Sequence, residues 1–117
     1  MIVYEDLHKV ELDSTQPEIY DRPIGVRLLH QDPNQGAMHY LVRYPEGLIA
    51  QRHRHTAAHT IVLVDGSLAV NGRTIGPGTY CHFAAGEPMH HAPAEEGSCL
   101  FVIIFDAPFD VEPLADR

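Results

Sequence analysis

Short apolar runs, broken every few residues by turn-forming pairs, constrain this chain more than any other feature of its sequence. From Ile24 onward such runs alternate with punctuation: Asp32-Pro33-Asn34, Pro45-Glu46-Gly47, Asp65-Gly66, Asn71-Gly72, Gly76-Pro77-Gly78, Ala85-Gly86-Glu87-Pro88 and Glu95-Glu96-Gly97. Runs this short between breakers of this kind read as strands joined by tight turns. Strands are predicted over residues 24–30, 37–44, 48–55, 60–64, 67–70, 73–75, 79–83, 90–92 and 98–106. The clearest turn is Val70-Asn71-Gly72-Arg73, because Asn-Gly tolerates the positive φ that both central positions of a type I′ hairpin require. No stretch sustains a 3.6-residue apolar period with caps, so almost no helix is expected. Many short strands at regular spacing point to an all-β sandwich or barrel. Residues 1–20 read as an N-terminal arm and residues 21–117 as one barrel domain. The tail, Ala107 to Pro113, is too broken by proline for a central strand and is expected to pack across the barrel or a neighbouring subunit.

Composition narrows the partners. The 117 residues suffice for one domain, and 44% of them are apolar, so the chain can bury a core without a disulfide or structural zinc. Eight basic residues against 16 acidic ones give a formal charge of −8. That excess repels phosphate backbones and anionic bilayers, so neither nucleic acid nor a membrane is an expected partner. No apolar run approaches the roughly 20 residues of a membrane span. The first residues carry acids and no long apolar stretch, so a secretory signal is not expected and the cytoplasm is the expected location. Cys81 and Cys99 lack CxxC spacing and are expected as two buried thiols in strands.

Histidine is the unusual entry. Of nine, six (His53, His55, His59, His82, His90 and His91) fall between residues 53 and 91. Strand residues two apart share a face, so His53 and His55 can both look inward while Arg52 and Arg54 look out. His59 keeps that parity if the backbone stays extended, and Ile61 and Leu63 would then line the same interior, with Val62 and Val64 on the other face. The competing reading is a solvated strand with idle imidazoles. Several uncoordinated imidazoles on one buried face are costly unless each finds a partner, and one shared cation would satisfy them together. His90 and His91 are adjacent, so only one of them can join the cluster; His90 is favoured and His91 is the alternate. For His82 an ordinary hydrogen-bonded side chain is expected.

At these residues the sequence resembles the cupin superfamily. Its first motif reads Gly, five residues, His-x-His, three or four residues, Glu, six residues, Gly. Gly47, His53, His55 and Gly66 stand in those places, and His59 stands where the family usually has Glu. The second motif is approximated by Gly78, Ala84 and Gly86, with Ala84 in place of a proline and His90 displaced by about one residue. The resemblance spans residues 37–106. It implies a double-stranded β-helix (the jelly-roll or cupin barrel), a homodimer, and metal ligands at His53, His55, His59 and His90. Histidine-rich variants of this kind look like small cupin dioxygenases that cleave diketones or hydroxyacetophenones. The stretch from Gly78 to Phe105 is also similar to the cupin half of zinc-binding anti-sigma factors.

The function expected from this is a metal-dependent, dioxygenase-like enzyme on a small carbonyl or diketone-type compound, holding one divalent transition metal. Imidazole sites suit Fe, Zn, Ni and Cu, and raw affinity does not choose among them. His59 is either a fourth ligand or a base beside the ion. Ile61, Leu63 and Phe101 or Phe105 would wall the pocket. Tyr40, Tyr44 and Tyr80 are candidates to donate to substrate oxygens, with Tyr80 set beside His59 as a candidate catalytic residue. Ordinary sheet packing is the competing reading for each tyrosine. The alternatives are a non-enzymatic metal- or ligand-binding sensor barrel and a metal-dependent isomerase or lyase. The last needs an acid/base carboxylate, for which Glu46, Glu87 and Glu95 are the candidates.

Overall fold

The computed structural model describes residues 1–34, 36–93 and 97–115. Among the described residues, twelve strands follow one 3-10 turn, Leu7–Lys9, which the Asp6 side chain caps by accepting from His8 N–H at 3.0 Å. The strands are β1 (Asp13–Thr15), β2 (Ile24–Gln31), β3 (Met38–Tyr44), β4 (His53–His55), β5 (His59–Asp65) and β6 (Leu68–Val70). They continue with β7 (Arg73–Ile75), β8 (Tyr80–Phe83), β9 (Pro88–Met89), β10 (His91–Pro93), β11 (Cys99–Phe105) and β12 (Val111–Pro113). Among the described residues no helix is long and apolar enough to cross a membrane.

Six strands form one antiparallel sheet in the order β1-β2-β3-β11-β5-β8. Two three-stranded sheets, β10-β6-β7 and β12-β4-β9, supply residues to the same core, so the chain is all-β, as its punctuation predicts, and a jelly roll, as the cupin resemblance implies. Non-consecutive neighbours such as β3 and β11 are the long crossovers of that topology. The centre of the large sheet is β11, between β3 and β5, and its sequence CLFVIIF is a nearly unbroken apolar run. A strand buried on both edges and one face can carry such a run without exposing it. In β5 the alternation is strict: His59, Ile61 and Leu63 are buried, and Thr60, Val62 and Val64 are half-buried on the other face.

Two glycines fix the turns that set this geometry. The hairpin between β6 and β7 has φ 50° at Asn71 and 81° at Gly72, with Val70 opposite Arg73, which is the type I′ turn expected from the dipeptide. Gly66, at φ 78°, ends β5 so close to β11 that a Cβ there would lie 2.4 Å from the Ser98 carbonyl oxygen.

The structure departs from expectation at three elements. Residues 48–52, expected as strand, are irregular except for a bridge between Ala50 and Tyr20, and only 53–55 pair as β4. Part of the N-terminal arm joins the large sheet as β1, and the tail contributes β12, an edge strand beside β4. A proline is compatible with an edge, where one row of backbone groups needs no partner. Cys99 is buried as expected, whereas Cys81 is half-buried, and both are free thiols. Glu95 and Glu96 lie outside the described residues.

Candidate metal centre

Three imidazoles meet inside the barrel: His53 and His55 from β4, and His91 from the start of β10. Each is buried, at 0%, 6% and 2% exposure, and one ring nitrogen from each lies within 4.8 Å of the others. Their side chains are brought together by β4 alternation and by the β10–β6 pairing, in which His91 stands opposite Val70.

The hydrogen bonds settle which nitrogens are available. His53 Nδ1 is 2.8 Å from the Gln51 carbonyl, which can only accept, so Nδ1 carries the proton and Nε2 keeps its lone pair. His91 Nδ1 is hydrogen-bonded to the Tyr44 hydroxyl. The remaining nitrogens, Nε2 of His53, Nε2 of His91 and both of His55, are buried without a partner. Each such atom costs about 1–3 kcal/mol when nothing satisfies it. A divalent ion answers all three residues at once. Three donors about 2.1 Å from one ion stand about 3.0–3.4 Å apart, so rotations of the rings by the order of an ångström complete the site. Buried, neutral imidazoles are the donor set such an ion requires, and in His53 and His91 the second nitrogen is already hydrogen-bonded, which orients the ring.

Electrostatics agree. Burial holds His55 down to about 3, with the neighbouring His59 and His53 adding to the effect. Burial likewise depresses His59 to about 4 and His91 well below the usual range, and it lowers His53. All four rings are therefore neutral at physiological pH and present lone pairs rather than charges.

The other expected residues stand as follows. His59 turns inward despite a bend at Thr56 and Ala57. Its ring centroid is 4.4 Å from that of His55, it stacks on Phe83, and its Nε2 lies 3.1 Å from Met89 Sδ. It borders the triad without belonging to it. His91, and not the favoured His90, is the residue that the fold turns inward. His90 lies between β9 and β10, with its N–H donating to Asn71 Oδ1 at 2.8 Å and its Nε2 at 2.8 Å from the Ala50 carbonyl. Tyr80 is not brought to the site: opposite Val62 on β8, it is 66% exposed. His82 pairs with Thr60 Oγ1 at 2.9 Å on the outer face, as expected of it. Glu46 and Glu87 are exposed and hold turns, accepting from Gly97 N–H at 3.1 Å and Ala84 N–H at 3.2 Å. The candidate Glu95 lies outside the described residues.

A cavity of about 190 Å³ adjoins the triad, lined by His55 and His91 and by Val42, Phe101, Ile103 and Phe105. Thr15, Tyr20, Tyr40 and Tyr44 are its hydroxyl-bearing lining residues, and Phe109, stacked on Phe105 at 3.6 Å, supplies another side. At about 30 Å³ per water, that is room for about six waters or one small organic molecule. Tyr20 and Phe109 were not singled out by the sequence. Both come from segments with weak periodicity that reach the barrel only through long-range pairing.

Comparison with known proteins agrees with the fold. A family model described as the ChrR cupin-like domain matches residues 11–107. Among solved structures, a cupin-like protein from Thermotoga maritima superposes with a TM-score of 0.77 at 14% identity, over 92% of this chain and 90% of that one. The polyketide cyclase RemF from Streptomyces resistomycificus gives 0.76 at 17% identity, over 100% and 88%. An acetylacetone dioxygenase from Acinetobacter johnsonii gives 0.75 at 19% identity, over 97% and 78%. Likeness at these identities shows a shared fold. No curated protein matches the chain in sequence.

Proposed function

The chain belongs to the ChrR cupin-like domain family, and from that premise we propose that it is a metal-dependent, dioxygenase-like enzyme acting on a small carbonyl or diketone-type compound. The observation that carries this reading is a buried triad of imidazoles with unpartnered ring nitrogens, two of whose rings, His55 and His91, stand on the wall of a small apolar cavity. A purely structural ion needs no such cavity. A substrate does.

His53, His55 and His91 would hold the ion, leaving coordination positions on its cavity side. A ferrous ion held there supplies a Lewis acid for a carbonyl or enolate oxygen and the one-electron chemistry that dioxygen requires. The chain does the rest. Phe101, Ile103, Phe105 and Val42 exclude water and fit a molecule with few polar groups. Neutral imidazoles leave the ion's charge uncompensated, which favours an anionic, enolate-like ligand. The relatives named above include an acetylacetone dioxygenase, which is consistent with this size and polarity.

A second reading rests on His59. Its ring adjoins that of His55, so a rotation away from Met89 would complete a closed four-imidazole site, as in a non-enzymatic zinc-binding module. One experiment separates the two: metal analysis of untagged protein together with oxygen uptake over a panel of β-diketones. Uptake that depends on Fe(II) supports the enzyme. Retained zinc with no uptake on any member of the panel sinks it and favours the binding module. An isomerase or lyase has less support, since Glu46 and Glu87 are exposed and engaged in turns.

A further inference from the structure

One feature of the cavity wall belongs neither to the ligand triad nor to the apolar packing. Tyr44, with no exposed surface, lies in van der Waals contact with Phe101 and stacks on the His91 ring. Its hydroxyl bonds on one side to His91 Nδ1 and on the other to the Tyr20 hydroxyl. Tyr20 is half-buried, is fixed by its bridge to Ala50 just ahead of β4, and lines the cavity along with Tyr44 and His91. The three groups form one chain of hydrogen bonds from a candidate ligand to a residue that lines the cavity.

Such a chain has a direction, and the ion sets it. A phenol has one proton to donate, and a neutral imidazole has one protonated nitrogen. His91 can offer Nε2 to a cation only if its proton sits on Nδ1. Nδ1–H then donates to Tyr44, whose own proton can go only to Tyr20, and the Tyr20 proton is left pointing away from both. We propose that Tyr20 is the hydrogen-bond donor to the cavity occupant, and that Tyr44 is the positioning residue that transmits to it the polarity fixed by metal ligation at His91. Were the chain reversed, with Tyr20 donating to Tyr44 and Tyr44 to Nδ1, Nε2 would carry the proton. Converting that form to the ligating one releases one proton at Nε2, passes one along each link, and takes one up at Tyr20, with no net change. The occupant that fits is a small molecule with two oxygen acceptors, one for the ion and one for the Tyr20 hydroxyl. This rests on the metal reading given above and adds to it the group that recognises the second oxygen.

The test uses the full chain loaded with Co(II), whose visible spectrum reports ligands at the ion, and two probes: acetylacetone and ethanethiol. Acetylacetone has an oxygen for Tyr20, whereas ethanethiol ligates through sulfur and offers no oxygen. Tyr20→Phe should bind Co(II) as the parent does, weaken acetylacetone by about five- to tenfold, the worth of one neutral hydrogen bond, and leave ethanethiol within twofold. Tyr44→Phe should lower Co(II) affinity by about tenfold or more, because His91 loses the partner of its second nitrogen. It should also show the same selective loss of acetylacetone. Unchanged acetylacetone binding in Tyr20→Phe, or equal loss of both probes, overturns the donor assignment. Undiminished Co(II) affinity in a folded Tyr44→Phe overturns the positioning role, and Tyr20→Phe keeps the donor claim testable if that variant does not fold. Failure of the parent protein to bind Co(II) at all would instead overturn the metal reading itself.

Discussion

At the scale of single residues, the site is decided by which imidazoles lack partners. His53→Ala, His55→Ala and His91→Ala each remove one of the orphaned donors, so each should abolish stoichiometric metal binding, measured by metal content after gel filtration. His82→Ala and His90→Ala should retain it, because those rings are engaged with Thr60 and with the Ala50 carbonyl. Loss in either control would place the ion elsewhere. The alternation of His53 and His55 is legible in the sequence, since two residues in a three-residue strand cannot escape the period of two. The choice between His90 and His91 is not. It is made by Asn71, in the turn between β6 and β7, which holds the His90 backbone: His90 N–H bonds to its side chain, and Asn71 N–H donates to the His90 carbonyl at 2.9 Å. That clamp holds His90 between β9 and β10 with its ring on the Ala50 carbonyl, and leaves His91 on the buried face with Met89. Local spacing carries no trace of a partner 19 residues away. Tyr20 is hidden for the same reason, its place in the wall being fixed by Ala50.

At the scale of elements, turns are more legible than strand ends, because a turn's chemistry is local. Asn71-Gly72 states its own geometry, whereas residues 48–52 look like strand and are held instead by cross-links to the arm, such as Gln51 N–H to the Ile19 carbonyl at 2.7 Å. The two positive-φ glycines at 66 and 72 should nonetheless respond differently to substitution. Gly72→Ala meets nothing within 4 Å and bears only the backbone strain, about 1 kcal/mol. Gly66→Ala adds a collision with the Ser98 carbonyl and the Cys99 backbone, which neither strand can relieve without moving β5 against β11. We expect a loss of about 2–4 kcal/mol, read from urea unfolding midpoints. Similar losses in both variants would mean that the β5–β11 contact yields more readily than its packing suggests. The edge strand β12 makes a related point. It pairs with β4 in the register Val111 to His55, so it braces the strand that carries two of the three donors. Removing residues 111–117 should lower metal affinity while the large sheet, which does not include β12, keeps its circular dichroism.

At the scale of the whole molecule, the buried imidazoles couple folding, protons and metal in a way that surface histidines would not. Burial holds His55 at about 3 and His59 at about 4 in the folded chain, against about 6.5 when the chain unfolds. The unfolded state therefore binds more protons over that interval. The stability associated with keeping these rings neutral is complete above about pH 6.5 and is lost progressively as the pH falls toward 4 and then 3. The metal-free protein should accordingly show a thermal midpoint that declines between pH 7 and 5. Zinc should raise that midpoint through mass action, by about 2.7 kcal/mol of stability at a free concentration one hundred times Kd. Protons compete with zinc for the folded site only near its own depressed values, so the zinc-induced increment should persist at pH 5.5 while the metal-free baseline sinks. Exposed imidazoles titrating near 6.5 would behave oppositely: protonation would cut the zinc increment steeply below pH 6, with little effect on the metal-free midpoint. Paired thermal scans at pH 7.5 and 5.5, with zinc and with chelator, distinguish a site built into the core from a cluster on its surface.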